Sequence, residues 1–386
     1  MRRLFAVILS LLLVLGSART LEAATVMCHE AAGQQLGEVI ELIVNRFVGE
    51  PVTVHDLLEA SLRGMTEILD QYSIYLSAEE LAGFTSAMDG RLKGIGVSMT
   101  VLEDGSIVVA RVLPNSPALA AGILAGDVLL YIDGVNIEGE MLDIVTGMIT
   151  NPDYERVVVT FYRNGVKHTF DIVKEEINSP TVIVERLENE AESAGLRGIR
   201  HYRYMQISSI SNTTGADVRQ ALTNMREENV RGIVLDLRGN TGGYLDVTID
   251  IANQIVPQGI VLETVNSSGR RRTYNSILTD VPFDNIVVLV NRFTASAAEV
   301  LASALQDSGA AVVVGEPTFG KGLVQTVYAT RHGGALKLTT EEFYRRNGDK
   351  INEIGVVPCV LVERQQNFGE PDTVLRRGME ILIKGQ

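Results

Sequence analysis

The chain has 386 residues, enough for two or three domains that each bury a core of their own. Its formal net charge of −14 argues against a nucleic-acid partner, which would want a basic stripe. Trp is absent, aromatics make up 5% and there are 2 cysteines, so neither an aromatic stacking surface nor a cysteine-bound metal cluster is expected to organise the molecule.

Met1-Arg2-Arg3 is a basic start, and the apolar run Leu4 to Gly16 is too short for a comfortable membrane span. Small residues follow at Gly16-Ser17-Ala18 and Ala23-Ala24. This pattern predicts a secretory signal peptide over residues 1–23 and an exported, periplasmic or extracytoplasmic protein; an uncleaved anchor is the alternative. An oxidising compartment would permit a Cys28–Cys359 disulfide. Residues 24–90 are expected to be helical, because Val39, Ile40, Leu42, Ile43, Phe47 and then Leu57, Leu58, Leu62, Met65, Ile68, Leu69 recur at helical spacing.

Residues 91–176 alternate and are rich in turn residues, hence β. Gly94-Ile95-Gly96-Val97 stands near the start, with Gly126-Asp127 and Ile132-Asp133-Gly134 downstream. Successive N–H groups of a Gly-rich loop can hold a carboxylate, and an adjacent strand edge can accept an extended peptide. Taken alone, the tetrapeptide is also an ordinary tight turn.

Over 177–348 strands alternate with helices, which predicts an α/β core. Tyr204–Ile207 reads as a strand, Thr214–Glu228 as an amphipathic helix, Gly232–Arg238 as a buried strand and Tyr244–Val256 as a helix. Ile286–Val290 and Ala311–Val314 read as apolar strands around a helix from Ala297 to Asp307. Lys337–Thr340 to Arg346-Asn347-Gly348 reads as two strands joined near Asn-Gly. Residues 349–386 are expected to pack on this core, ending in a helix over Asp372–Lys384 with Val374, Leu375, Met379 and Leu382 apolar.

The chemistry is expected between Asn285 and Gln325. Ser296 stands at a helix N-terminus, where free N–H groups and the helix dipole favour negative charge, as a serine nucleophile needs for its oxyanion. Lys321, in the Gly-rich loop after the next strand, supplies a base. Each residue alone also fits a plain part, a helix cap and a solvated lysine.

Thr294-Ala295-Ser296-Ala297-Ala298-Glu299, followed by Gly315-Glu316-Pro317-Thr318-Phe319-Gly320-Lys321-Gly322-Leu323-Val324-Gln325, resembles the C-terminal processing peptidases, or tail-specific proteases. These are serine proteases with a Ser–Lys dyad. Leu235-Asp236-Leu237-Arg238-Gly239-Asn240-Thr241-Gly242-Gly243 is similar to a second signature of the family. Asp70-Gln71-Tyr72-Ser73 and the motifs over 94–134 look like the segment before its PDZ domain and the domain itself. The likeness covers about residues 40 to 384.

The resemblance implies an α/β, ClpP/crotonase-like protease core with a PDZ domain and an N-terminal helical region. It implies Ser296 as nucleophile, Lys321 as general base and Gln325 as the residue orienting that lysine. The N–H groups of Gly242, Gly243 and Ala297 would form the oxyanion hole. Gly94, Ile95, Gly96 and Val97 would line a site for a protein C-terminus. Asp236 and Arg238 are read as bracing the core. Four positions depart from the family pattern: Thr294 and Ala298 replace serines, Thr241 replaces a proline and Cys359 replaces an aspartate.

A lysine base must be neutral, which places its pKa roughly 3 below that of the free amine, at a cost of about 4 kcal/mol met by desolvation and peptide binding. No metal or organic cofactor is required. The expected partners are protein substrates held by their C-terminal tails, an activating adaptor, and a second copy of the chain through the N- and C-terminal helices. The histidines, His29, His55, His168, His201 and His332, form no recognisable triad motif; His332 with Asp307 is the convergent alternative. A non-catalytic PDZ scaffold with a protease-like core is the alternative function, and the joint presence of Ser296, Lys321 and Gln325 speaks against it.

Overall fold

The computed structural model describes residues 30–89, 91–102, 105–113, 115–140, 142–151, 154–178, 180–362 and 372–384. The leader and Cys28 lie outside these residues, and with them the expected Cys28–Cys359 bridge; Cys359 is exposed. Two compact units are present. The described residues up to Ser77, with Tyr328–Lys337, form one; Ala78–Val327 and the residues from Leu338 onward form the other.

The first unit opens with helix α1 (30–46). Helix α2 (Val54–Glu67) starts at a capping box, in which Thr53 Oγ1 accepts the Asp56 N–H at 3.1 Å and the Thr53 N–H donates to Asp56 Oδ2 at 2.9 Å. The sequence reads as helical well beyond this point, but the chain turns at Asp70. Its Oδ1 accepts the N–H groups of Tyr72 at 2.8 Å and Ser73 at 2.9 Å, and strand β1 (Ile74–Leu76) follows. A short aspartate that bonds the backbone ahead of it competes with the helix. The strand's antiparallel partner, Ala335–Lys337, lies far along the chain, where no local periodicity could reveal it.

The second unit begins with α3 (Ala78–Met88) and β2 (Arg91–Gly94). A β domain follows: β3 (Val97–Val101), β4 (Ile107–Val112), α4 (Pro117–Ala121), β5 (Val128–Ile132), β6 (Val135–Asn136), α5 (Leu142–Thr150), β7 (Arg156–Arg163) and β8 (Val166–Val173). Its sheet order is β3-β4-β5-β7-β8, with β6 on β5, so β3 keeps a free edge within this sheet. Ile95, Ile107, Val109, Ile132, Val159 and Phe161 are part of its core. The chain leaves through β9 (Glu175–Asn178), which pairs antiparallel with β2 and closes the domain with a two-stranded ribbon.

The remaining elements are β10 (Val182–Arg186), α6 (Glu188–Ser193), β11 (Tyr202–Ile207), α7 (Thr214–Glu227), β12 (Gly232–Asp236), α8 (Leu245–Ile255), β13 (Gly259–Asn266), β14 (Arg271–Ser276), β15 (Asn285–Val290), α9 (Ala297–Asp307), β16 (Ala311–Gly315), β17 (Leu323–Ala329), β18 (Ala335–Tyr344), β19 (Val360–Leu361) and α10 (Thr373–Lys384). A six-stranded sheet runs β10-β11-β12-β15-β16-β19, parallel from β11 onward, with β10 antiparallel at the edge. Because side chains alternate across a strand, Ile233, Leu235, Ile286, Val288 and Val290 enter one core with α7, α8 and α9. Val234, Val287 and Leu289 enter a second core with α6 and α10. Both faces are covered, which is why these strands read as continuous apolar runs.

The Asn-Gly turn is present after β18, but the expected second strand is reduced to a single bridge, Tyr344 to Lys350. Helix α10 spends its apolar stripe on its own core, where Val374, Met379 and Leu382 are buried. Arg238 joins buried Asp236 to Asp372 just ahead of that helix, at 2.5 Å and 2.8 Å, so this pair braces the core as the sequence suggests.

Candidate active site

The site is assembled at the C-terminal ends of β12 and β15 and in the loop after β16. Asn291, the first residue after β15, ties two loops together: its Oδ1 accepts the N–H of Gly239 at 3.0 Å and of Phe293 at 3.2 Å. Thr294 is fully buried and donates its hydroxyl to Leu237 O at 2.9 Å. Fully buried Asn240 donates its carboxamide to Ile207 O at 2.8 Å, while its backbone carbonyl oxygen accepts the Ala295 N–H at 2.9 Å. The 237–244 and 291–296 loops are therefore one stitched body.

Ser296 follows at φ 56°, ψ −122°, immediately before α9. Of the six non-glycine residues with positive φ among the described residues, four are Asn or Asp, which tolerate that region; Ser296 and Glu353 are the others. A serine held in this turn before α9 persists there only because its surroundings over-determine it. Helix α9 is buried along Ala297–Leu305, and its alanines let it pack closely beneath that turn.

Glu299, present in the motif but without an expected role, proves central. It is fully buried and accepts four hydrogen bonds. Oε2 takes the backbone N–H groups of Ser296 at 2.8 Å and Lys321 at 2.9 Å. Oε1 takes the Thr318 hydroxyl at 2.6 Å and the Gly320 N–H at 2.7 Å. One carboxylate oxygen thus holds the main chain at both expected dyad positions within two hydrogen bonds of each other. Burial pushes this carboxyl above its ordinary value, against the bonds from Thr318 and the three amides. The only signal in the sequence was its place three residues into the helix, where a capping glutamate reaches back to the preceding amide.

The glycines beside Lys321 serve different ends. Gly320 adopts φ +87° and makes the turn. Gly322 does not need a positive φ; a Cβ there would lie 2.1 Å from Asn352 N, so close backbone approach requires it. The 351–356 segment holds the loop, with the Glu353 N–H on Gly320 O at 2.8 Å and the Val356 N–H on Thr318 Oγ1 at 2.7 Å. Gln325 lies in β17, and its carboxamide donates to Leu323 O at 3.4 Å and Thr339 Oγ1 at 3.3 Å.

Gly242 and Gly243 are distinct in the same way. A Cβ on Gly242 would come within 2.9 Å of Ser296 Cβ and of Ala297 N, so this glycine lies against the serine, and its N–H donates to Asn240 Oδ1 at 2.8 Å. Gly243 is pressed on Ile210, whose carbonyl oxygen a Cβ would meet at 1.9 Å. Asp307 forms an ion pair with Arg345 at 2.5 Å, which ties it to a structural role rather than to a triad.

In the β domain, Gly94 ends β2, Ile95 and Gly96 make the link, and Val97 opens β3. Ile95 is 1% exposed and belongs to the domain core, so its side chain is spent on packing. Gly96 has φ +81°, and a Cβ there would lie 2.2 Å from Ser116 Cβ.

Comparisons with known proteins fit this arrangement. The profile of Peptidase family S41 matches residues 201–362, and that of the PDZ domain matches residues 94–173. The chain is 31% identical over 340 residues to a carboxy-terminal-processing protease of Bartonella bacilliformis, covering 86% of this chain and 75% of that one. It is 30% identical over 357 residues to the carboxy-terminal processing protease CtpB of Bacillus subtilis, covering 92% and 72%. Among solved structures it resembles the photosystem II D1 C-terminal processing protease, with a TM-score of 0.57, 29% identity, and coverage of 84% and 86%.

Proposed function

We propose that this chain, which belongs to the carboxy-terminal processing proteases, cuts protein substrates near their C-termini with Ser296 as nucleophile and Lys321 as general base. The observation that carries this reading is Ser296 itself. It is held at an uncommon backbone conformation at a helix start, and its amide shares a carboxylate oxygen with the amide of Lys321.

The neutral Lys321 amine takes the Ser296 proton as Ser296 Oγ attacks the substrate carbonyl. The protonated lysine gives that proton to the leaving amine, so the acyl-enzyme forms as the C-terminal fragment departs; water, deprotonated by the same lysine, then hydrolyses it and the proton returns to Ser296 Oγ. The oxyanion is received by the N–H of Ala297, in the first turn of α9, and by that of Gly243; the Gly242 N–H stays with Asn240 and fixes the loop. Gln325 orients Lys321 once its carboxamide turns from Thr339. No metal or organic cofactor takes part.

The PDZ domain takes the substrate tail, its carboxylate at the Gly94–Val97 amides and its extended chain along the free edge of β3. Tail binding then gates hydrolysis, with or without an adaptor protein. Export rests on the leader read in residues 1–23. Self-association is assigned to the N-terminal helices, where Val39, Leu42, Val54 and Met65 are exposed, since the apolar face of α10 is already covered.

The test is hydrolysis of an unstructured reporter with a free C-terminal tail. Ser296→Ala and Lys321→Ala are each expected to lower kcat by about a thousandfold or more while melting within a few degrees of wild type. Near-normal hydrolysis by Lys321→Ala would end the dyad assignment.

A further inference from the structure

Asp89 closes the last turn of α3, its N–H donating to Thr85 O at 2.9 Å. Its Oδ1 accepts two side chains from the protease core: the Tyr244 phenol at 3.2 Å and the Asn212 carboxamide at 2.9 Å. Those donors come from two loops that are bonded to each other. The Ile210 N–H donates to Gly242 O, and the Tyr244 N–H donates to Ile210 O, both at 3.0 Å. Gly243 is pressed on Ile210 between them, so Tyr244 is tied through two hydrogen bonds and this close contact to the glycine loop that lies against Ser296.

On its other side, Asp89 stands just ahead of β2, whose last residue, Gly94, opens the peptide loop. Strand β2 pairs with β9, so the chain running into the PDZ domain and the chain running out of it are one ribbon, rooted beside Asp89. Burial first, and then the charge of Asp89, push the Tyr244 phenol up from its ordinary value, so it remains a protonated donor at neutral pH.

We propose that Asp89 is a positioning residue that couples the peptide-binding loop to the oxyanion loop through Tyr244 and Asn212. This rests on the roles given above to Gly94–Val97 and Gly243. Its consequence is that tail binding, by shifting the β2–β9 ribbon, resets the backbone that receives the oxyanion.

The test uses the full chain carrying Asp89→Ala, Tyr244→Phe, or both, with Ser296→Ala as the inactive control. On an unstructured reporter with a free tail, each single variant is expected to lose about tenfold in kcat, the scale of one hydrogen bond to a charged group, with KM within twofold. The double variant should be no worse than the poorer single one, because both changes break the same link. Hydrogen exchange gives a second readout that needs no turnover. In Asp89→Ala, amides over 208–213 and 242–244 should exchange about tenfold faster, with β4 and β7 unchanged. Three results would each overturn the coupling: kcat within twofold in all variants, losses that multiply in the double variant, or unchanged exchange at both loops. If wild type cleaves no better than Ser296→Ala, the catalytic reading fails, and the exchange data still decide whether Asp89 holds the loop.

Discussion

Two buried carboxylates, one in each half of the second unit, are satisfied by different means. Asp127, in the PDZ domain, is 1% exposed and faces a guanidinium: Arg163 donates Nε and Nη2 to it, both at 2.5 Å, and also reaches Gly122 O at 2.9 Å. Glu299, beneath the Ser296 turn, takes its four hydrogen bonds from three amides and a hydroxyl, none of them a side-chain cation. The guanidinium fixes one loop through a side chain. The amides let one carboxylate fix the main chain at residues 296, 320 and 321 together. The proposed dyad would need the second solution, because its two members arrive from separate loops and must be placed by their backbones.

The largest effect expected from breaking this contrast is on catalysis. Glu299→Ala leaves three amides and a hydroxyl without their acceptor and frees both loops of the candidate dyad. Hydrolysis should fall by about a thousandfold, comparable to loss of a dyad member, and the core should melt earlier. A tenfold loss or less would show that α9 alone holds the geometry.

Next in size is Arg163→Met, which strands Asp127 in an apolar setting. Breaking a buried pair from one side costs about 3 kcal/mol. Thermal unfolding followed by hydrogen exchange should show the PDZ strands opening first and the six-stranded sheet unmoved.

The smallest effect, and the sharpest discriminator, is the pH dependence of two isosteric changes. The Glu299 carboxyl is raised in the folded state by burial, against its hydrogen bonds, above an ordinary value of 4.5. Its protonation therefore favours folding fully below that ordinary value, and this gain is lost as pH rises through the folded value. Burial also pushes Asp127 up, but the Arg163 bond and the Leu124 amide bring it net below 3.8, so its contribution is present above that value and is lost as pH falls through the folded one. The stability penalty of Glu299→Gln should thus grow on acidification, while that of Asp127→Asn should shrink. Each change amounts to about 1.4 kcal/mol for every tenfold difference in proton affinity between the folded and unfolded chains. Penalties that move the same way in chemical denaturation at two pH values would mean that the amides outweigh burial at Glu299.

The strand–turn–helix unit that carries the candidate dyad was legible because its signals are local. An apolar strand, a small-residue turn, an alanine-rich helix and a glycine-flanked lysine follow one another within about forty residues, and each obeys a short-range rule. The two glycine pairs show the limit of that reading. Gly242 and Gly243 looked equivalent, as did Gly320 and Gly322, until Asn240, Ile210 and Asn352 came to lie against them. The helical reading of the N-terminal region failed at Asp70–Leu76 for the same reason: β1 exists only because Ala335–Lys337 returns to pair with it.

The alternation of strands and helices in the α/β core, the PDZ-like loop and the candidate dyad positions were legible in the sequence itself, since period, turn chemistry and motif act over a few residues. Only the tertiary structure decided that Glu299 joins the amides of Ser296 and Lys321, that Gly242 is the glycine against the serine, and that Asp89 reaches Tyr244 and Asn212. A hydrogen bond is made between whichever donor and acceptor the packed chain brings within about 3 Å, and no local pattern carries that distance.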